Sequence, residues 1–271
     1  MQPMLSARQP APIVSVEDEY APFDPKQYLD EYYTQLGPEN RELLNFNHLA
    51  YLCIFSELRT ARMLELGGGP TIYQLISAAR YPIAIDFSDY LDANLNELRI
   101  WLEDRPGQFR WEPFIRYVLE REGTPACGCA LEQRAREIRR KVRRLLHCDA
   151  RRAAPLGEGA AQYDIVSINF VLEAVAHDVV EWDRLLDHVQ PLIKPGGYLL
   201  MGVVTGAEHY RVGRTFFPTI PLSCDYVVRK LRRRRLAPVL HHFVPAERQD
   251  EQGYQGLFMI LARTRSVAAW R

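Results

Sequence analysis

No apolar run in this 271-residue sequence approaches the roughly 18 residues that a membrane-crossing helix needs, so no membrane contact is expected. Cysteine is sparse. Five residues, an odd number scattered along the chain, make no disulfide framework and point to a reducing, cytoplasmic setting. Excess charge of either sign is absent: 34 basic residues balance 34 acidic ones, so no global field selects nucleic acid or anionic lipid. The first residues hold Pro3, Pro10 and Pro12 but lack the charged-then-apolar order of a signal peptide, and residues 1–22 read as a flexible arm. Cys127-Gly128-Cys129 with Cys148 lacks the usual Cys-x-x-Cys grip, and no histidine pair has ligand spacing, so no metal is expected. There is no internal repeat, and a monomer is the expectation.

What is present is an alternation of short apolar runs and amphipathic stretches. Residues 25–36 place Tyr28, Leu29, Tyr32, Tyr33 and Leu36 at helical spacing before Gly37-Pro38 stops them. A second helix is predicted over 39–58. Apolar runs at 63–66, 82–86, 145–149, 164–169 and 198–204 are continuous, as strands buried on both faces should be. Helical stretches at 71–79, 91–102 and 179–189 lie between runs, and strands near 238–244 and 257–262 could form an antiparallel edge. The order predicts an α/β fold, a central, mostly parallel sheet with helices on both faces. Residues 23–271 then make a single domain. Within it, 23–60 forms a helical lid, and 103–147 and 205–223 are cap insertions over the carboxyl ends of the strands, where ligands bind.

Candidate chemistry gathers at those strand ends. Gly67-Gly68-Gly69 sits where a strand must turn tightly into a helix, and glycine permits positive φ and close ligand approach. Peptide N–H groups at the helix start can bind a carboxylate, such as that of a methionine moiety. Asp86 ends the second apolar run, where it can accept bonds from two ribose hydroxyls. Asp149 ends the third, where it can receive an adenine amine. Glu65 suits a cofactor that carries a cationic amine. A nicotinamide dinucleotide would want a further glycine where Ile72 stands, and Pro70 follows the triplet instead. The combination points to S-adenosylmethionine.

These residues resemble the nicotinamide, phenylethanolamine, indolethylamine and thioether N-methyltransferase family, from residues 23–29 nearly to the C-terminus. The most specific stretch is Gly69-Pro70-Thr71-Ile72-Tyr73-Gln74-Leu75-Ile76-Ser77-Ala78, with further matches at 94–98, 170–175, 192–197 and 256–258. The resemblance implies a Rossmann-like class I methyltransferase. It implies cofactor contacts from Tyr28, Tyr33, Gly67, Gly69, Tyr73, Asp86, Asn94, Asp149, Ala150 and Asn169, and a lid formed by Tyr28, Tyr32 and Tyr33. Two departures stand out: Gly68 replaces a serine, and about three extra residues separate Asp86 from Asn94.

On the acceptor side, Glu173 matches one acid of the phenylethanolamine branch. A second acid position falls at Ala207, beside Glu208, and a third near Gln252 or Gly253. In the nicotinamide branch an aspartate on the fifth strand holds the carboxamide, and Gly202 stands near that point here. Methyl transfer from a sulfonium is an in-line displacement, so the protein positions the partners and excludes water. Glu173, Glu208 and His209 are the candidate catalytic residues, and Tyr32, Phe170, Glu173 and Tyr210 the candidate acceptor contacts. The expected acceptor is a small molecule, an amine or ring nitrogen. Basic runs at 134–144 and 229–235 raise an RNA or protein methyltransferase as the rival, but Leu131, Ala135, Ile138, Val142 and Leu145 make the first an apolar stripe with a solvated face. A protein that binds the cofactor without catalysis is a third reading.

Overall fold

A computed structural model describes residues 20–57, 60–247 and 253–265. Helix α1 (Pro25–Tyr33) begins where the Asp24 carboxylate accepts from the Lys26 and Gln27 amides and proline takes the first helical position. Helix α2 (Pro38–Ile54) follows. The seven-stranded sheet consists of β1 (Ala61–Leu66), β2 (Ile83–Asp89), β3 (Val142–His147), β4 (Tyr163–Asn169), β5 (Ile193–Thr205), β8 (Leu236–Pro245) and β9 (Gly256–Thr264). Their order is β3-β2-β1-β4-β5-β9-β8, with β1 to β5 parallel and β9 antiparallel to both neighbours. A hairpin, β6 (His209–Val212) and β7 (Thr215–Pro218), pairs outside this sheet.

Helices cover both faces because each central strand is apolar on both sides. Met63 and Leu64, neighbours on β1, are fully buried in opposite cores. One core packs α2, α3 (Tyr73–Ile76), α4 (Asp92–Leu102), α5 (Glu112–Arg121) and α6 (Gly128–Lys141) against the sheet. The other packs α7 (Leu172–Val175), α8 (Val179–Val189) and α9 (Cys224–Arg233). Strand order reverses between β1 and β4, which places the ligand crevice beyond their carboxyl ends.

Several expectations need correction. Residues 103–147 are not a cap. They form α5, α6 and β3, part of the helical layer and the sheet itself, and none of them lines the central cavity. The stripe expected along one helix is divided, since α6 ends at Lys141 and Val142 and Leu145 belong to β3. The helix expected over 71–79 shrinks to the single turn of α3 and a 3-10 turn, Ala78–Arg80. Strand β2 runs three residues past Asp86. Of the N-terminal arm, residues 1–19 lie outside the described residues. Tyr20 is no loose end: it is buried, its hydroxyl donates to the Ala174 carbonyl at 2.7 Å, and its ring stacks on Phe217. Among the described residues no helix is long and apolar enough to cross a membrane.

Candidate active site

A cavity of about 850 Å³ opens at the carboxyl ends of the parallel strands. Its floor is the loop after β1. Gly67 and Gly69 adopt φ of 68° and 63°, the left-handed region that glycine enters without strain. Gly68 is fixed by packing instead, because a Cβ there would overlap the buried Phe87 ring, so the family serine has no room here. The Gly68 carbonyl accepts from Thr71 Oγ1 at 2.8 Å and Gln74 Nε2 at 3.0 Å, which holds the loop from below. The amides of Gly68 and Gly69 donate to the Ser88 carbonyl and to Asp89 Oδ2. With those amides engaged and α3 only four residues long, the helix-start anion site read from the sequence does not form.

Asp86 is the principal correction. It pairs in register with Leu64, mid-strand, and does not line the cavity. Its carboxylate is taken by Arg144 at 2.6 and 3.0 Å, by Tyr163 Oη at 3.0 Å and by Arg62 at 3.2 Å. Burial alone would raise its pKa, but these bonds outweigh burial and hold the carboxyl below its usual range. Asp89, the last residue of β2, occupies the cavity wall instead. It accepts from the Gly69 amide at 2.8 Å, the Leu91 amide at 2.9 Å and Asn94 Nδ2 at 2.9 Å. Burial nevertheless raises its pKa. The extra residues counted between Asp86 and Asn94 vanish once Asp89 is taken as the acid. That spacing was the signal in the sequence that could have found it.

The other expected cofactor residues, Tyr28, Tyr33, Gly67, Gly69, Tyr73, Asn94, Asp149, Ala150 and Asn169, all line the cavity. Asn94 Oδ1 is buried and has no hydrogen-bond partner among the described residues. Tyr33 stacks on Tyr73 at 5.6 Å, and its hydroxyl lies 3.4 Å from that of Tyr28. Burial pushes all three hydroxyls up, so they stay protonated. Glu65 is fully buried beneath the loop, 3.4 Å from Asn169 Nδ2, and does not line the cavity. Burial pushes its pKa up to about 8.

Of the residues expected to meet the acceptor, Tyr32, Phe170, Glu173 and Tyr210 all line the cavity, as does His209. Phe170 has φ of 61°, a strained conformation for a bulky residue, and its amide donates to the Gly202 carbonyl at 2.9 Å. Glu173 is 2% exposed and accepts from the Val204 amide at 2.7 Å. Burial, only partly offset by that bond, pushes its pKa up to about 7. Besides the Val204 amide on β5, the carboxylate also accepts from its own backbone amide at the start of α7. Glu208 is a second correction: its side chain is exposed and off the cavity wall, while Ala207 and His209 on either side are on it. Gln252 lies outside the described residues. Sequence reasoning also missed Tyr20, Thr219 and the pair Glu39–Tyr254, all on the wall. The basic runs stay away from it: Arg134 pairs with Glu122, Arg139 with Asp104, and Arg234 with Asp183 and Asp187.

A glycine loop after β1, an acid ending β2 and a 3-2-1-4-5 parallel order around one cavity define a class I S-adenosylmethionine-dependent methyltransferase. The NNMT/PNMT/TEMT family model matches residues 11–265, so the chain belongs to this family of small-molecule N-methyltransferases. It is 32% identical to phenylethanolamine N-methyltransferase of Macaca mulatta over 230 residues, 81% of this chain and 79% of that protein. It is 30% identical to nicotinamide N-methyltransferase of Sus scrofa over 252 residues, 90% of this chain and 94% of that protein. Magnesium protoporphyrin IX methyltransferase from Synechocystis, solved with bound S-adenosylmethionine, shares the fold at a TM-score of 0.58. At 9% identity over 92% of this chain and 95% of that one, the likeness is of fold alone.

Proposed function

We propose that the chain methylates a small cationic amine that presents its nitrogen to Glu173. One observation carries this: a carboxyl 2% exposed, with pKa pushed up to about 7, lies on the wall of the same cavity as the glycine loop. A buried carboxyl at that pKa holds an ammonium when ionised and takes its proton at little cost near neutrality, which frees the nitrogen lone pair. The aromatic wall of Tyr32, Phe170, Tyr210 and Phe216 surrounds an apolar body attached to that nitrogen. Nicotinamide fits less well. Glycine at 202, near the point where the nicotinamide branch has a carboxamide-holding aspartate, brings no such carboxylate, and a side chain there would press on Asn169 Oδ1 at 2.9 Å and the Phe170 ring at 3.1 Å.

For the methyl donor, Asp89 takes the ribose hydroxyls and Asn94, steered by Asp89, offers its unpartnered Oδ1. Asp149 takes the adenine amine beside Ala150. Gly67 and Gly69 admit close approach, and Asn169 lines the cleft beyond β4. Tyr28, Tyr33 and Tyr73 supply neutral donors for a carboxylate. The donor fits because the cavity offers acceptors at one end and protonated hydroxyls at the other. When bound, it supplies an electrophilic methyl on a sulfonium. Excluding water and aligning the nitrogen are then the protein's tasks. Incubation with labelled donor and separate pools of primary amines, heteroaromatics and RNA tests the assignment. Label entering the amine pool is expected, and label confined to heteroaromatics or RNA overturns it.

A further inference from the structure

One pair of thiols lies on the surface, off the cavity wall. Cys127 and Cys129 flank Gly128 at the start of α6, both are exposed, and neither lines the cavity. Cys127 is the residue before the first helical turn, and Cys129 lies within that turn. Cα atoms two residues apart are about 5–7 Å apart, which overlaps the roughly 4.4–6.8 Å a disulfide spans. Gly128 has no packing reason to be glycine. A Cβ there would meet nothing within 4 Å, and its backbone is not in the left-handed region. Glycine is a weak helix former, and nothing packed around this position calls for it. What glycine adds is backbone freedom, which closing a small ring between i and i+2 requires.

We propose that Cys127-Gly128-Cys129 is a thiol–disulfide exchange site that reacts with small disulfides and closes to an intrachain disulfide. The two thiols are unequal. The hydrogen bond between them holds Cys127 below the usual thiol range and pushes Cys129 above it, the division between an attacking and a resolving thiol. By contrast, Cys148 is buried, and burial pushes it up to about 12. In the first step the Cys127 thiolate, having lost its proton to solvent, attacks one sulfur of R–S–S–R. A Cys127–S–S–R bond forms and RS⁻ leaves. Cys129 then gives its proton to that thiolate and attacks the Cys127 sulfur, releasing a second RS⁻, which takes a proton from solvent. Two protein thiols are oxidised and one small disulfide becomes two thiols.

The test is to treat the folded protein with glutathione disulfide, block remaining thiols, and weigh the tryptic peptide 122–134, which holds both cysteines. It should be lighter by two hydrogens and free of glutathione. Cys129→Ser should retain one glutathione on Cys127, and Cys127→Ser should react severalfold more slowly than Cys129→Ser. Methyl transfer by both variants should match the parent, since neither residue touches the cavity. Two free thiols in peptide 122–134 while exposed Cys53 is modified, or equal rates in the two single variants, would overturn the proposal.

Discussion

Asp86 and Asp89 lie three residues apart on one strand, and only the second reaches the ligand crevice. Asp89→Ala should therefore weaken S-adenosylhomocysteine binding by about tenfold or more in calorimetry, the loss of charge-assisted bonds worth roughly 1.5–3 kcal/mol. Asp86→Ala should leave that affinity within about twofold. It should instead lower stability by on the order of 1–3 kcal/mol in urea, because Arg144, Arg62 and Tyr163 lose their shared acceptor. Equal effects of the two variants on binding would put the ribose assignment in error. At Glu173, the carboxylate gains population as pH rises through about 7. Acceptor kcat/KM should rise across that window in the parent, and Glu173→Gln should remove this limb while leaving donor affinity unchanged.

At the scale of elements, the cavity roof is α1 locked onto the β6–β7 hairpin. Tyr32 Oη donates to the Arg211 carbonyl at 2.7 Å, and the Gly213 amide donates to Glu31 Oε1 at 2.9 Å. Tyr20 and Tyr210 both stack on Phe217, which ties residue 20 to the same hairpin. Leu29 and Tyr33 anchor α1 in the main core, whereas the hairpin rests on these bonds and on the small cluster of Tyr20, Val212 and Phe217, so the hairpin is the half that can open at modest cost. Tyr32→Phe removes one bond worth about 1 kcal/mol. Proteolysis within residues 205–223 should accelerate severalfold and acceptor KM should rise, with global stability nearly unchanged. If added S-adenosylhomocysteine fails to slow that cleavage, the roof does not close over the donor.

Over the whole molecule, stability carries a pH signature set by its buried acids. Burial pushes Glu65 up to about 8 and Glu173 up to about 7 from an ordinary 4.5, so above pH 4.5 and up to those values the folded state holds more protons than the unfolded state. Stability should fall as pH rises from about 5 to 8. Asp86 has the opposite sign, since its lowered pKa gives a contribution that is lost as pH falls through the acid range. Melting temperature should thus be highest near pH 5, and replacing Glu65 and Glu173 by Gln should flatten the alkaline limb. A melting temperature that rises steadily to pH 8 would contradict the burial of both carboxyls. Product cofactor at a hundred times its Kd should add about 2.7 kcal/mol.

Continuous apolar runs ending in glycine or acid were enough to read the parallel sheet, because strands buried on both faces leave no polar alternation. Helix α8 was legible to the residue, since Asp178 caps its first amides and its apolar face is regular. The glycine loop and its neighbours through Ser77 were equally plain, for the backbone there admits few side chains. Which acid belongs to the site was not. Asp86 and Asp89 are alike as residue types, and only the register of β2 against β1, with Arg144, Arg62 and Tyr163 converging from β3, β1 and β4, decides between them. The same holds for Glu208, whose side chain turns to solvent between two cavity residues, and for segment 103–147, which joins the sheet and its cover rather than the roof. Residue type and pattern determined the methyl donor and the architecture. Strand register and side-chain direction, set by contacts distant in the chain, decided which carboxylates line the cavity.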